Sequence, residues 1–279
     1  MKEKFLDYGF SFKVSNVVFI GVKIGKTHEL TLKKLREASN FISSFDLSSK
    51  KNLMERIRPF DIGDVKSKSF NFVLKKIIEN KKTPVIVSQA HLISYFTSVY
   101  FRDNIFVVSF DAHADCKDSY LDEKIIELDF GYKFTERFND STWFRRSWEE
   151  GIKGVLVGIR ALDEDEFEFI EKEKIPYFSS EQIKKQIKKV EKNIRKFTKK
   201  KDILISLDID VFDPSIAPAV HYPEPNGILF EHFESIVKSI NGRIVGIDLT
   251  CVNSFEGKNY VTEFLAIRSL FSIFSKLTF

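Results

Sequence analysis

The sequence predicts an α/β fold in which a mostly parallel β-sheet is covered by helices on both sides. Short runs rich in Val, Ile and Phe recur along the chain. Most of them are apolar at successive positions rather than at alternate ones, which indicates strands buried on both faces. Stretches with helical periodicity separate these runs, as parallel strands require. No linker, repeat or low-complexity segment interrupts the 279 residues, so we expect one domain over residues 1–279.

Strands are predicted where β-branched and aromatic residues form an apolar run with polar or turn residues on either side. In chain order these runs are Asn16–Val22, Pro84–Ser88, Asn104–Phe110, Lys153–Ile159, Asp202–Ile209 and Arg243–Leu249. Ligand sites in such sheets form at the carboxyl ends of the strands. Polar residues that directly follow a run are therefore the first candidates for chemistry.

Helices are predicted where apolar residues return every three or four positions, most clearly over Ser180–Thr198. The other patterns, in chain order, are Leu30–Ser43, Asp64–Glu79, Leu92–Tyr100, Glu164–Glu173, Phe230–Ile240 and Tyr260–Lys276. The segment from Cys116 to Arg146 is long and irregular. Loops of that kind inside compact domains tend to line binding sites.

Composition argues against membrane and nucleic-acid partners. No stretch reaches the roughly 18 apolar residues of a membrane span, and the first residues, MKEKFLDYGFSFKV, lack the apolar core of a signal peptide. The 44 basic and 40 acidic residues are mostly interspersed, and the densest lysine runs fall on the helical pattern 180–198, where a solvated face explains them. Two cysteines, Cys116 and Cys251, do not make a disulfide framework, so we expect a cytoplasmic protein.

Two acidic clusters follow two of the predicted strands. Asp111, His113 and Asp115 occupy alternate positions after the run 105–110, and Asp208 and Asp210 end the run 203–209. Alternate residues of an extended chain point to the same side, so each cluster should converge at a strand's carboxyl end. Burying such groups without compensation is costly. A pair of divalent cations would neutralise them.

His91 is a further candidate ligand because it follows the strand 84–88 and precedes a helix. A set of carboxylates with two imidazoles suits Mn²⁺ better than a zinc site built on thiolates. Two cations a few Å apart could share carboxylates and hold a bridging hydroxide as the nucleophile. His28 and His232 lie in polar helical surroundings and are expected at the surface.

The two acidic clusters carry a resemblance to a known family. SFDAHAD and SLDIDVFDPSIAP resemble the metal motifs of the ureohydrolases, the arginase and agmatinase family, which hydrolyse guanidino compounds to urea and an amine at a dinuclear manganese site. Weaker matches fall in the family's order at 61–65 (DIGDV), 157–160 (VGIR) and 246–249 (GIDL). The resemblance covers most of the chain. It implies a three-layer α-β-α fold with a central, mostly parallel sheet of about eight strands, usually assembled as homo-oligomeric trimers or hexamers.

The resemblance also implies which residues would hold two Mn²⁺ ions per chain. One ion would be bound by His91, Asp111, Asp115 and Asp208. The other would be bound by His113, Asp111, Asp208 and Asp210, with Asp111 and Asp208 bridging. The hydroxide between the ions would attack the central carbon of a guanidino or related amidine group, with an agmatine-like compound as the expected substrate.

Four positions depart from the family pattern. The glycines expected before His91 are replaced by Ser88-Gln89-Ala90. Asp140 stands where the family places a histidine near the substrate, so Asp140 or His221 is the candidate proton shuttle. His221 lies in a bulkier loop, Ala219–Pro225, and an alternative is that it simply closes the pocket. Glu224 in that loop could supply a replacement charge for the substrate.

The fourth departure is Cys251, which replaces the glutamate that pairs with the guanidinium. It is either a small filler or a thiol that contacts a different substrate. Losing that carboxylate costs on the order of 2–5 kcal/mol of recognition. Three hypotheses follow: a manganese hydrolase of guanidino or related amidine bonds, a catalytically idle metal-binding subunit or regulator of a paralogue, and a metal-dependent deacylase acting on a neutral amide.

Overall fold

The computed structural model describes residues 4–23, 28–47, 50–103, 105–120, 136–257 and 259–279. Its strands are β1 Val17–Val22, β2 Phe45–Asp46, β3 Lys51–Asn52, β4 Pro59–Val65, β5 Thr83–Ser88, β6 Ile105–Phe110, β7 Lys153–Ile159, β8 Tyr177–Ser179, β9 Asp202–Asp208 and β10 Arg243–Thr250. Its α-helices are α1 His28–Phe41, α2 Leu53–Ile57, α3 Ser67–Glu79, α4 Ile93–Tyr100, α5 Trp143–Glu149, α6 Glu164–Glu173, α7 Ser180–Thr198, α8 Phe230–Ser239 and α9 Val261–Phe274.

Eight strands form one sheet in the order β4-β1-β5-β10-β9-β6-β7-β8, and every neighbouring pair is parallel. The strand runs are buried along almost their whole length, as their uninterrupted apolar character predicts. The predicted α/β class, the parallel sheet and the eight strands are confirmed. Short strands β2 and β3 form a separate antiparallel pair.

Two apolar clusters, one on each face of the sheet, make the three layers. Val17 and Phe19 of β1 pack with residues of α1, α2, α7, α8 and α9, whereas Val18 and Ile20 pack with residues of α3, α4, α5 and α6. Neighbouring residues of one strand thus enter opposite cores, which is the alternation expected of a strand covered on both sides. None of the described helices combines the length and the apolarity that crossing a bilayer needs.

The structure differs from the prediction at several elements. The helix expected from Asp64 begins at Ser67, because residues 59–65 instead form the edge strand β4 beside β1. The segment expected to be irregular up to Arg146 ends in helix α5, which begins at Trp143 and follows a 3₁₀ turn over Asp140–Thr142. The short edge strand β8 was not predicted. Asn104 and residues 121–135 of that irregular segment lie outside the described residues.

A buried ion network fixes β4 against α1. Arg36 of α1 donates through Nε to Asp61 Oδ2 at 2.8 Å, and its Nη2 lies 2.7 Å from Asp64 Oδ1. Asp61 Oδ2 also accepts the backbone N–H of Phe5 at 2.9 Å. Arg36 and Asp61 are buried, so each charge depends on the other for compensation. The motif at 61–65 therefore has a structural role at the sheet edge.

We expect Asp61→Asn to lower the free energy of unfolding by about 3 kcal/mol, because it leaves the buried Arg36 with one carboxylate partner instead of two. The matched control is Asp202→Asn, which removes the exposed pair to Arg243 and should cost about 1 kcal/mol or less. Urea unfolding with a common m-value measures both. Equal losses in the two variants would contradict the role given to Asp61.

Candidate metal centre

The predicted site residues meet at the carboxyl ends of three strands. Asp111, His113 and Asp115 follow β6, and Asp208 ends the neighbouring strand β9. Asp210 lies in a 3₁₀ turn, Ile209–Val211, that the Asp208 carboxylate caps by accepting the Asp210 N–H at 2.8 Å. His91 arrives from β5, on the other side of β10.

His91 lies at the centre of three carboxylates. Its Nδ1 is 3.0 Å from Asp115 Oδ2 and 3.2 Å from both Asp111 Oδ2 and Asp208 Oδ2. One imidazole nitrogen carries at most one proton, so it satisfies one of these oxygens at a time. The donor atoms of His91, Asp111 and Asp115 lie within 4.8 Å of one another, a spacing that one cation can bridge.

A second group forms around His113. Its Nδ1 is 2.9 Å from Asp210 Oδ2 and 3.6 Å from Asp111 Oδ1. Asp111 therefore turns one oxygen to each histidine, the arrangement expected of a bridging ligand. The bridging role expected of Asp208 stays a prediction, since its Oδ2 lies beside His91 and its Oδ1 accepts the Asp210 N–H.

Burial and mutual charge shift the pKa values of the cluster strongly. Burial, then the charge of a neighbouring aspartate, raises the pKa of Asp115 and of Asp208 to about 6. Burial alone would lower the pKa of His113, but hydrogen bonds to Asp111 and Asp210 outweigh it and raise the value to about 12. Asp111 Oδ2 is buried and has no hydrogen-bond partner among the described residues. The donor set therefore fits divalent cations better than it fits protons.

A chain of hydroxyl groups orients His91 from behind. Its Nε2 lies 3.0 Å from Ser206 Oγ, which lies 3.0 Å from Ser94 Oγ. Ser94 in turn donates to Asp248 Oδ1 at 2.8 Å. A partner on the far ring nitrogen holds a ligating imidazole in one orientation, with Nδ1 directed into the cluster.

Two supporting residues were not predicted from the sequence. Trp143, fully buried, donates its Nε1–H to Asp115 Oδ2 at 2.7 Å, and its ring packs on His91 with 4.8 Å between centroids. Arg160 binds backbone carbonyls of two loops, Asp210 and Val211 at 2.6 and 3.1 Å, and Glu224 at 3.0 Å. For Trp143, the sequence offered one signal, a tryptophan in a segment without periodicity. Arg160 belongs to the motif at 157–160, but the motif did not indicate what its side chain does.

Gly158 lets the backbone of residues 157–160 lie close to Asp111. Its φ is +105°, and the strand register shifts at this point between Val157 and Ile159. A Cβ there would meet Val211 Cγ2 at 2.4 Å and the Asp111 carbonyl oxygen at 3.0 Å. Only glycine combines this backbone conformation with such close packing against a predicted ligand.

A cavity of about 320 Å³ opens above the cluster. The remaining predicted residues all line it, namely Asp140, His221, Glu224 and Cys251. Asp140 Oδ1 accepts the Leu92 N–H at 2.8 Å, and burial raises its pKa to about 6. Lys117, Asp163 and Glu166 form part of the rim.

Two side-chain amides lie beside the imidazole of His221, which accepts a hydrogen bond from one of them at most. Its Nε2 lies 3.1 Å from Gln89 Nε2, and its Nδ1 lies 3.2 Å from Asn253 Nδ2. His28, expected at the surface, is instead buried at the start of α1; that expectation was wrong because the helix face it lies on packs against the sheet. Burial, then the charge of His221, lowers the pKa of His28 to about 4.

Comparison with known proteins agrees with the geometry. A family model described as Arginase family matches residues 19–275. The chain is 26% identical over 227 residues to a 32.2 kDa protein of Methanothermus fervidus, covering 77% of this chain and 74% of that one. It is 26% identical over 263 residues to the N(1)-aminopropylagmatine ureohydrolase of Thermococcus kodakarensis, covering 89% and 82%. The crystal structure of agmatine ureohydrolase from Thermoplasma volcanium superposes with a TM-score of 0.83 at 22% identity, covering 98% and 93%.

We expect Trp143→Phe to weaken divalent-cation binding about 10- to 100-fold, because it removes the N–H that fixes Asp115 while keeping a ring beside His91. Trp148→Phe is the matched control, since Trp148 Nε1 donates to Glu173 at 3.2 Å, away from the cluster. Titration of metal-free protein with Mn²⁺ by calorimetry measures both. Equal affinities in the two variants would remove Trp143 from the centre.

Proposed function

The chain belongs to the arginase family, and we propose that it is a dinuclear manganese hydrolase that cleaves the C–N bond of a guanidino or related amidine compound. One observation carries the proposal. Six predicted ligands on three strands converge beneath one cavity, with His91 Nδ1 within 3.2 Å of three carboxylate oxygens and His113 Nδ1 2.9 Å from a fourth carboxylate.

The donor chemistry supports manganese at this centre. Carboxylate oxygens outnumber imidazole nitrogens, and such sets favour Mn²⁺. His91, Asp111, Asp115 and Asp208 would hold one ion, and His113, Asp111, Asp208 and Asp210 the other. When bound, two such ions supply Lewis acidity and lower the pKa of water.

Residues of the cavity wall would bind and orient the substrate. We assign the substrate's positive charge to Glu224, which lines the cavity while its backbone carbonyl is held by Arg160 at 3.0 Å. An agmatine-like substrate suits this wall because it carries a second cationic end. The name of the Thermococcus relative, an aminopropylagmatine ureohydrolase, agrees with that choice.

Proton transfer to the departing amine is assigned to Asp140. It lines the cavity beside the centre, and the Leu92 N–H fixes one of its oxygens at 2.8 Å. The ring nitrogens of His221 lie 3.1 and 3.2 Å from the side-chain amide nitrogens of Gln89 and Asn253, and one ring nitrogen can accept a hydrogen bond from its amide. This contact favours His221 as a shaped wall of the cavity rather than as the shuttle.

A second candidate function rests on Cys251. It lines the cavity where the family resemblance places a carboxylate that pairs with the guanidinium. Losing such a charge-assisted pair lowers binding or turnover by roughly 30-fold to several thousand-fold. The alternative is therefore a catalytically idle metal-binding member that acts as a subunit or regulator of a paralogous enzyme.

Urea release separates the two functions. Protein reconstituted with Mn²⁺ is incubated with arginine, agmatine, guanidinobutyrate, guanidinopropionate and free guanidine, and its bound metal is counted. We expect two ions per chain and turnover of one cationic guanidino compound. The control, Asp111→Asn with Asp208→Asn, should lose the metal, the activity and part of its thermal stability. Bound metal without urea from any compound would favour the idle subunit, and metal retained by the control would overturn the ligand assignment.

We expect Asp140→Asn to lower kcat about 10²- to 10⁴-fold, because it removes the proton donor while its amide oxygen still accepts the Leu92 N–H. KM and the melting temperature should change little, since the shape of the wall is kept. His221→Asn is the comparison. If that variant loses more kcat than Asp140→Asn, the shuttle is His221.

A further inference from the structure

Cys251 lies beside the residues assigned to the first cation. It directly follows β10, whose last residue, Thr250, is the register partner of Asp208 on β9. The ligand atoms of Cys251, His91 and Asp208 all lie within 4.8 Å of one another. A sulfur at this place can share one cation with an imidazole nitrogen and a carboxylate oxygen.

The surroundings of Cys251 are those of a ligand rather than of a filler. Its sulfur lies within 4.8 Å of the ligand atoms of His91 and Asp208, and the cavity that it lines is also lined by Asp140 and Asp210. A residue that merely fills space packs against apolar side chains, as Cys116 does inside the cluster formed by α3, α4, α5 and α6. Cys251 therefore lies at the cavity among candidate ligands, whereas Cys116 belongs to the apolar cluster.

An independent observation shows that the same cluster lacks a partner. Asp111 Oδ2 is buried, has no hydrogen-bond partner among the described residues, and lies 3.2 Å from His91 Nδ1. This oxygen and the Cys251 sulfur approach His91 in two overlapping groups, His91–Asp111–Asp115 and His91–Asp208–Cys251. His91 is the residue that the two groups share.

Resting on the proposed function, we propose that Cys251 Sγ is a further ligand of the cation held by His91 and Asp208. A thiolate ligand raises the affinity of this position for the softer Zn²⁺ and Co²⁺ relative to Mn²⁺, whereas the group around His113 offers oxygen and nitrogen alone. On binding, the thiol releases its proton to solvent and Sγ donates an electron pair to the cation. The centre is then mixed, with a sulfur ligand on one side.

The sulfur ligand is tested by spectroscopy on the full chain loaded with Co²⁺ or Zn²⁺. We expect a sulfur-to-cobalt charge-transfer absorption in the wild type and a Zn–S distance of about 2.3 Å from X-ray absorption. Cys251→Ser should lose both signals, and its ratio of Zn²⁺ to Mn²⁺ affinity should fall at least about tenfold. Cys116→Ser is the matched control and should keep the signals and the ratio.

Two outcomes overturn the inference. If the wild type binds cobalt without the charge-transfer absorption, sulfur is not a ligand. If only Cys116→Ser loses the absorption, the sulfur ligand is Cys116 and not Cys251. If Cys251→Ser does not fold, the charge-transfer absorption and the Zn–S distance of the wild type decide whether sulfur is a ligand. Urea release under Mn²⁺ is measured in parallel, so an active enzyme without a sulfur ligand refutes this inference and leaves the proposed function standing.

Discussion

Compensation of buried negative charge is the constraint on which the carboxyl edge of the sheet depends. Asp111, Asp115, Asp208 and Asp210 are all buried within one small volume. Each isolated carboxylate in such a place costs several kcal/mol. Two imidazoles offset part of that cost, and backbone N–H groups offset more, since Asp111 Oδ1 accepts the His113 N–H at 2.7 Å. The negative charge that remains is what bound cations would neutralise.

The layers of helices act on this edge through a few long-range hydrogen bonds. From one side, α5 brings Trp143 to Asp115. From the same core, α4 brings Ser94 to Asp248 and Ser206, behind His91. Arg160 joins the turn that carries Asp210 to the loop that carries Glu224. The predicted ligands and the cavity wall are therefore held by one connected set of contacts.

The sheet and the central cluster could be predicted from the sequence because both follow simple periodicities. Alternation after an apolar run places Asp111, His113 and Asp115 together, and the carboxyl-end rule for parallel strands joins them to Asp208 and His91. The supports could not be predicted in the same way. Trp143 and Arg160 act through hydrogen bonds to distant segments of the chain, and such contacts leave no local pattern. The edge strand β4 was not predicted, and its last two residues, Asp64 and Val65, were assigned to the following helix, because a strand with several polar residues that is buried only in part shows no apolar run.

The strand order has a consequence for how the chain folds during its synthesis. Strands β4, β1 and β5 come from the first third of the sequence, and strands β9, β6, β7 and β8 come from later in the chain. The last strand, β10, lies between the two groups. Ser94 and Asp248, which meet behind His91, are 154 residues apart. At about 5–20 residues per second on the ribosome, roughly 8–30 seconds pass between their synthesis. During that interval β5 has an open edge, a surface on which nascent chains can pair wrongly. The last strand to be translated closes the sheet and completes the surroundings of His91 in one step.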